Sequence, residues 1–150
     1  MRELRARCWL ILLLMLGGCA VFVDTDDGGH DSLDRAIRQA SAEINFHYAL
    51  IDGATSLAGG LAEVERHGRA MDDCTANMRG TMDDMTCDLG GMDGMRGLAV
   101  SLDARVSVYV TAARSAPTLE ALRELCRQYA RDMDDVFERM HDRAGAMDCH

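Results

Sequence analysis

Methionine is the residue type on which chemistry could concentrate in this chain. Six methionines fall between positions 71 and 95: Met71, Met78, Met82, Met85, Met92 and Met95. Met82-Asp-Asp-Met85 and Met92-Asp-Gly-Met95 are spaced three apart, and Met71-Asp-Asp-Cys74 repeats that spacing with a thiol at its end. Side chains at i and i+3 share one face of a helix, so each pair can present two sulfurs together. Thioethers and thiolates are soft donors that select copper(I) or similar ions over hard cations. The competing reading is packing, since a flexible thioether fills irregular core and loop positions. A chain with no lysine and 16 arginines also points to a biased genome composition that distorts residue choice.

The histidines and thiols add little that is specific. His47 and His67 lie on or beside apolar stripes, where they are expected to point inward, toward Met71 and Met133, as hydrogen-bonded core residues. Glu63, Glu65 and His67 do not form the Glu-x-x-His ligand motif of di-iron bundles, because the spacing is wrong and no second copy of that motif exists. Gly-x-Ser-x-Gly, a phosphate loop, His-Glu-x-x-His and Cys-x-x-Cys are all missing. Asp72-Asp73, Asp83-Asp84 and Asp134-Asp135 are sequence neighbours that point to different helix faces, so they read as solvated surface. An enzyme is not expected.

Two resemblances bear on the methionines and on the C-terminus. The MxxM pairs look like the Met motifs of periplasmic copper-handling proteins, over about 25 residues; that resemblance implies a soft-metal binder or sensor. Cys149-His150 is similar to the end of the haem-attachment motif of c-prime-type four-helix cytochromes, but Ala146 stands where the first cysteine belongs, which leaves a haem-binding bundle as a distant alternative.

The leader is more specific. Met1 to Arg7 carries three arginines, Trp9 to Leu16 is an apolar run of eight, and small residues follow. That order is a secretory signal. Leu16-Gly17-Gly18-Cys19 resembles the lipobox of bacterial lipoproteins. The resemblance implies that residues 1–18 are removed and that Cys19 is lipidated as the first residue of the mature protein. An uncleaved anchor competes poorly: Cys8 to Val23 would cover about 24 Å as a helix, short of the roughly 30 Å hydrocarbon core. Ala20, in place of the Asp that retains such lipoproteins at the inner membrane, implies the outer membrane of a diderm cell, facing the periplasm. The membrane is then a partner through the lipid on Cys19.

After residue 18 the chain keeps 13 Arg against 24 Asp and Glu, hence a charge of −11. So acidic a surface repels nucleic acid and anionic headgroups. The 132 remaining residues suffice for one domain with a core. Residues 19–31 read as an acidic, glycine-containing tether, and residues 32–150 as the domain.

The expected fold is all-α: an up-down-up-down four-helix bundle. Leu33, Ile37, Ala40, Ile44, His47 and Ile51 form one helical stripe, capped at its start by Asp31 or Ser32. Leu57, Leu61, Val64, His67, Met71, Cys74 and Met78 form a second after Thr55 or Ser56, with its extent past Gly80 left open. Gly90-Gly91 is expected to break the chain before a third helix, capped by Asp93, that uses Met95, Leu98, Leu102, Val106, Tyr109 and Ala113. Pro117 is expected in the first turn of the fourth, whose stripe is Leu119, Leu122, Cys126, Tyr129, Met133, Val136 and Met140.

Such a bundle gathers His30, Met82, Met85, Cys87, Met92, Met95, Met147, Cys149 and His150 at one pole. Met82, Met85, Met92, Met95, Cys87, Cys149 and His150 are therefore the candidate ligands for copper(I) or a similar soft metal. With Cys19 lipidated, the even set Cys74, Cys87, Cys126 and Cys149 suggests disulfides. A Cys87–Cys149 bridge at the pole leads, and Cys74–Cys126 between diagonal helices follows. The function expected first is a non-catalytic envelope lipoprotein with a structural or protein-interaction role and an envelope protein as partner.

Overall fold

A computed structural model describes residues 29–87 and 89–147. The leader, Cys19, most of the tether, Cys149 and His150 lie outside the described residues. Four helices account for nearly all of the rest: α1 (Gly29–Asp52), α2 (Leu57–Asp84), α3 (Leu89–Arg114) and α4 (Leu119–Ala146). Together they form a four-helix bundle. No helix among the described residues is long and apolar enough to cross a membrane.

Short connections force sequential helices to run antiparallel, and cross-helix bonds record the register. Residues 43 and 47 of α1 meet 67 and 63 of α2. Arg96 and Arg114 of α3 reach Asp83 (3.1 Å) and Glu65 (2.6 Å) of α2. The α1–α4 seam closes through His30, which donates to the Ala144 carbonyl (2.6 Å), and through His141 and Asp34 (3.2 Å). α1 therefore packs between α2 and α4, and α3 between the same two on the opposite side. The ends of α2 and α4 and the starts of α1 and α3 meet at one pole, as the stripes imply.

Local signals explain the α2 and α4 starts. Ser56 caps α2 by accepting from the Gly59 amide, and Thr118 caps α4 by accepting from the Ala121 amide, both at 3.1 Å. Pro117 thus precedes the cap instead of occupying the first turn. α1 starts at Gly29, before the expected caps Asp31 and Ser32, and so takes over the last residues of the expected tether.

The largest departure is α3, which runs straight through Gly90-Gly91 from Leu89, with no start at Asp93. Glycine disfavours a helix interior by about 1 kcal/mol. Burying a methionine contributes about 1.5–3 kcal/mol, and both Met92 and Met95 are buried. Packing of that first turn and a half onto the core therefore outweighs the propensity. α2 likewise continues past Gly80 to Asp84, which lets Met82 join the core.

Candidate functional site

The described part of the expected pole is assembled, but its methionines are mostly buried inside it. Met82, Met92 and Met95 are buried together with Met78, Met140 and Met147 in one continuous core. Met85 is half-buried and lies against Gly29, where an added Cβ would come within 2.6 Å of its Cγ. Cys87 packs against the edge of the same core. Packing is thus the first role of these thioethers. The remaining candidates, Cys149 and His150, lie outside the described residues.

The thiols correct one expectation. Cys74 and Cys87 each take part in a disulfide bond, whereas Cys126 is a free, buried thiol. A Cys74–Cys126 bridge is therefore not formed. α2 and α4 are diagonal neighbours with little backbone contact. The expected partner of Cys87, Cys149, is outside the described residues.

The best-built polar site lies at mid-height: its inward, hydrogen-bonded histidines were expected, but their partners were not. His47 on α1 and His67 on α2 are fully buried, 0% exposed. Their rings stack with centroids 3.9 Å apart and planes 14° from parallel. His47 Nδ1 is 3.0 Å from Glu63 Oε1 on α2, and its Nε2 is 2.7 Å from the Tyr109 hydroxyl on α3. His67 repeats the arrangement with Glu43 of α1 at 2.9 Å and the Tyr129 hydroxyl of α4 at 3.0 Å. The two phenol rings stack in turn, 4.1 Å apart and 9° from parallel.

Each histidine thus bonds the glutamate of the other helix, not the one four residues before it in its own. Both carboxylates converge on Arg66, whose Nη2 lies 2.6 Å from Glu43 Oε1 and 2.7 Å from Glu63 Oε1. The same side chain also reaches Glu63 Oε2 through Nε at 2.7 Å and lies over the Phe46 ring at 5.1 Å.

The hydrogen-bond roles follow from which groups can accept. An ionised carboxylate only accepts, so each Nδ1 carries the proton and donates to its glutamate. Each Nε2 is then left as the acceptor of a phenol O–H. Burial pushes His47 down to about 4 and keeps the ring neutral, against the opposing effect of the hydrogen bond it donates to Glu63. Burial would raise the carboxyls of Glu43 and Glu63, but their histidine and Arg66 hydrogen bonds outweigh it and hold both below the usual range. Burial raises the Tyr109 and Tyr129 phenols well above theirs. It also pushes the Cys126 thiol up to about 11, so this thiol stays protonated and unreactive.

A four-helix core holding two glutamates and two histidines invites comparison with a metal centre, but the arrangement does not fit one. Arg66 takes the cation position between the carboxylates, and both Nε2 lone pairs are committed to phenols. No group of three or more His, Cys, Asp or Glu side chains among the described residues is placed to hold a metal ion.

The signal that could have found the site is a repeat. Glu43-x-x-x-His47 recurs twenty residues later as Glu63-x-x-x-His67, and Tyr109 and Tyr129 are also twenty apart. No protein family, curated protein or solved structure matches this chain.

Proposed function

We propose that this chain is a lipid-anchored cell-envelope protein whose helical bundle acts by protein contact or structural support, without catalysis. The observation that carries the reading is the leader, with its basic start, short apolar run and Leu16-Gly17-Gly18-Cys19. Anchoring through lipid on Cys19 would place residues 20–28 between the membrane and α1, whose first residue belongs to the pole. The bundle supports a contact role by what it leaves open. The histidines, glutamates and phenols of the mid-height site are engaged with one another, while α3 exposes Val100 and Val108, 61% and 70% accessible, on its outer side. Metabolic labelling of the full chain with an alkyne fatty acid tests the anchor. The wild type should take up label and fractionate with the outer membrane, and Cys19→Ala should do neither. Normal processing and membrane retention of Cys19→Ala would refute it.

A second reading, soft-metal binding at the pole, has one observation in its favour. Met78, Met82, Met92, Met95, Met140 and Met147 are all buried in the same hydrophobic core, in or just beyond the stretches of α2, α3 and α4 that lie toward the pole. Thioethers stay unprotonated, so such binding would persist at mildly acidic pH. Under reducing conditions, native mass spectrometry of the full chain should show copper(I) bound. Changing Met82, Met85, Met92 and Met95 to Leu should abolish it while keeping the helical fold, because the volumes match. Unaltered binding by that variant, or none by the wild type, would leave these methionines as packing residues.

A further inference from the structure

Two parallel chains of groups cross the bundle, Glu63–His47–Tyr109 and Glu43–His67–Tyr129. In each, a phenol donates to an imidazole whose far nitrogen is backed by a carboxylate. This is the order needed to take a proton from the phenol. A tyrosine that loses one electron becomes a strong acid, and in a dry interior its oxidation is blocked unless a base already touches the hydroxyl. Here the bases stand at 2.7 and 3.0 Å. The imidazolium formed would lie against a carboxylate already held in its charged form by Arg66. The stacked phenol rings, 4.1 Å apart, allow an electron vacancy to be shared between them.

Access is separated by side. Tyr109 and Tyr129 line a groove of about 380 Å³ between α3 and α4, together with Ala104, Val108, Ala112 and Leu125. The opposite end of the network reaches solvent at Arg66, between α1 and α2, where the side chain is 34% exposed. Electrons can thus be exchanged on the α3–α4 side while the protons stay on histidines inside the bundle. Besides His47 and Tyr129, the Cys126 thiol of α4 acts electrostatically on Tyr109, as does Glu63.

We propose that Tyr109 and Tyr129 form a one-electron donor site for oxidants that reach the α3–α4 groove. The oxidant, a small organic radical or a high-potential metal complex, gains one electron. The phenol becomes a neutral phenoxyl radical, and its proton moves to Nε2 of His47 or His67. A small thiol or enediol reductant gives up one electron and releases its own proton to solvent, and the proton held on histidine moves back to the phenolate oxygen. The cycle consumes one oxidant equivalent and one reductant equivalent and leaves the protein unchanged. This inference is independent of the anchor, and such turnover goes beyond the non-catalytic role proposed above.

Flash-quench oxidation of the full chain in detergent with tris(bipyridine)ruthenium(III) tests it, with the tyrosyl radical read by electron paramagnetic resonance and transient absorption. The chain has three tyrosines, so Tyr48→Phe leaves only the pair in the network. That variant should still give the tyrosyl signal, at a rate flat across neutral pH because the proton acceptor is internal. The double variant Tyr109→Phe/Tyr129→Phe reports only the exposed Tyr48, whose oxidation should speed up as the pH rises. In a Tyr48→Phe/Tyr129→Phe background, His47→Gln keeps a hydrogen-bond acceptor but removes the base. It should slow radical formation about a hundredfold, within the range of general-base effects. Unchanged rates in His47→Gln, or no tyrosyl signal in Tyr48→Phe, would overturn the proposal. If His47→Gln fails to fold, the Tyr48→Phe protein in deuterium oxide decides instead: slower oxidation supports proton transfer to histidine, and an identical rate overturns it.

Discussion

Replacing Arg66 with Met removes the cation that Glu43 and Glu63 share and keeps an apolar stem of similar length over Phe46. Both carboxylates are nearly buried, with 11% and 12% of their side chains exposed. Removing one partner of a buried ion pair costs about 3–5 kcal/mol, because the remaining charge is left uncompensated. Here water reaches the guanidinium, so the lower end applies and Arg66→Met should lose about 3 kcal/mol. Arg66→Lys restores the charge but cannot span both carboxylates with a planar fork, and should lose roughly half as much. Arg131→Met is the control: Arg131 is 66% exposed and 3.9 Å from Glu124, a surface pair contributing at most about 1 kcal/mol. Urea unfolding at neutral pH, followed by circular dichroism, measures all three. Arg66→Met within about 1 kcal/mol of wild type, or no worse than Arg131→Met, would show that packing and not charge holds the network.

The same network sets an acid limb. His47 titrates near 4 in the folded protein against 6.5 unfolded, so between those values the unfolded chain binds more protons. Stability should fall by about 3 kcal/mol as the pH drops through that window. Glu43 and Glu63, held below their unfolded values, extend the loss to lower pH as each takes up a proton. Urea midpoints across the range check this, and a midpoint unchanged from about pH 7 to about pH 5 would contradict the buried neutral His47. Two glycines of α2 should respond oppositely to alanine. A Cβ at Gly80 meets nothing within 4 Å, so Gly80→Ala should stabilise by about 0.5–1 kcal/mol. A Cβ at Gly60 would stand 2.7 Å from Leu122 Cδ2, so Gly60→Ala should destabilise by about 1 kcal/mol or more; thermal melts showing the same sign for both would refute the packing at Gly60.

The number of helices, their apolar faces and their antiparallel order were legible in the sequence, because a 3.6-residue period and short connections are local properties. The α4 stripe is the clearest case: Leu122, Cys126, Tyr129, Met133, Val136 and Met140 are all buried. The gathering of the pole followed from that order alone. The start of α3 was not legible, since Gly90-Gly91 reads locally as a break, and only the burial of Met92 and Met95 against other helices makes it helical. Thiol pairing was open for a similar reason, because spacing along a helix does not say which diagonal neighbours approach closely enough. The mid-height site belongs to tertiary structure almost entirely. Glu43 and His47 are four apart on one helix, yet each finds its partner on another. No local pattern shows that His47 stacks on His67, that Tyr109 stacks on Tyr129, or that one arginine serves two carboxylates. Those contacts exist because four helices at a fixed register bring six polar side chains into a largely buried space, leaving each to be satisfied mainly by another.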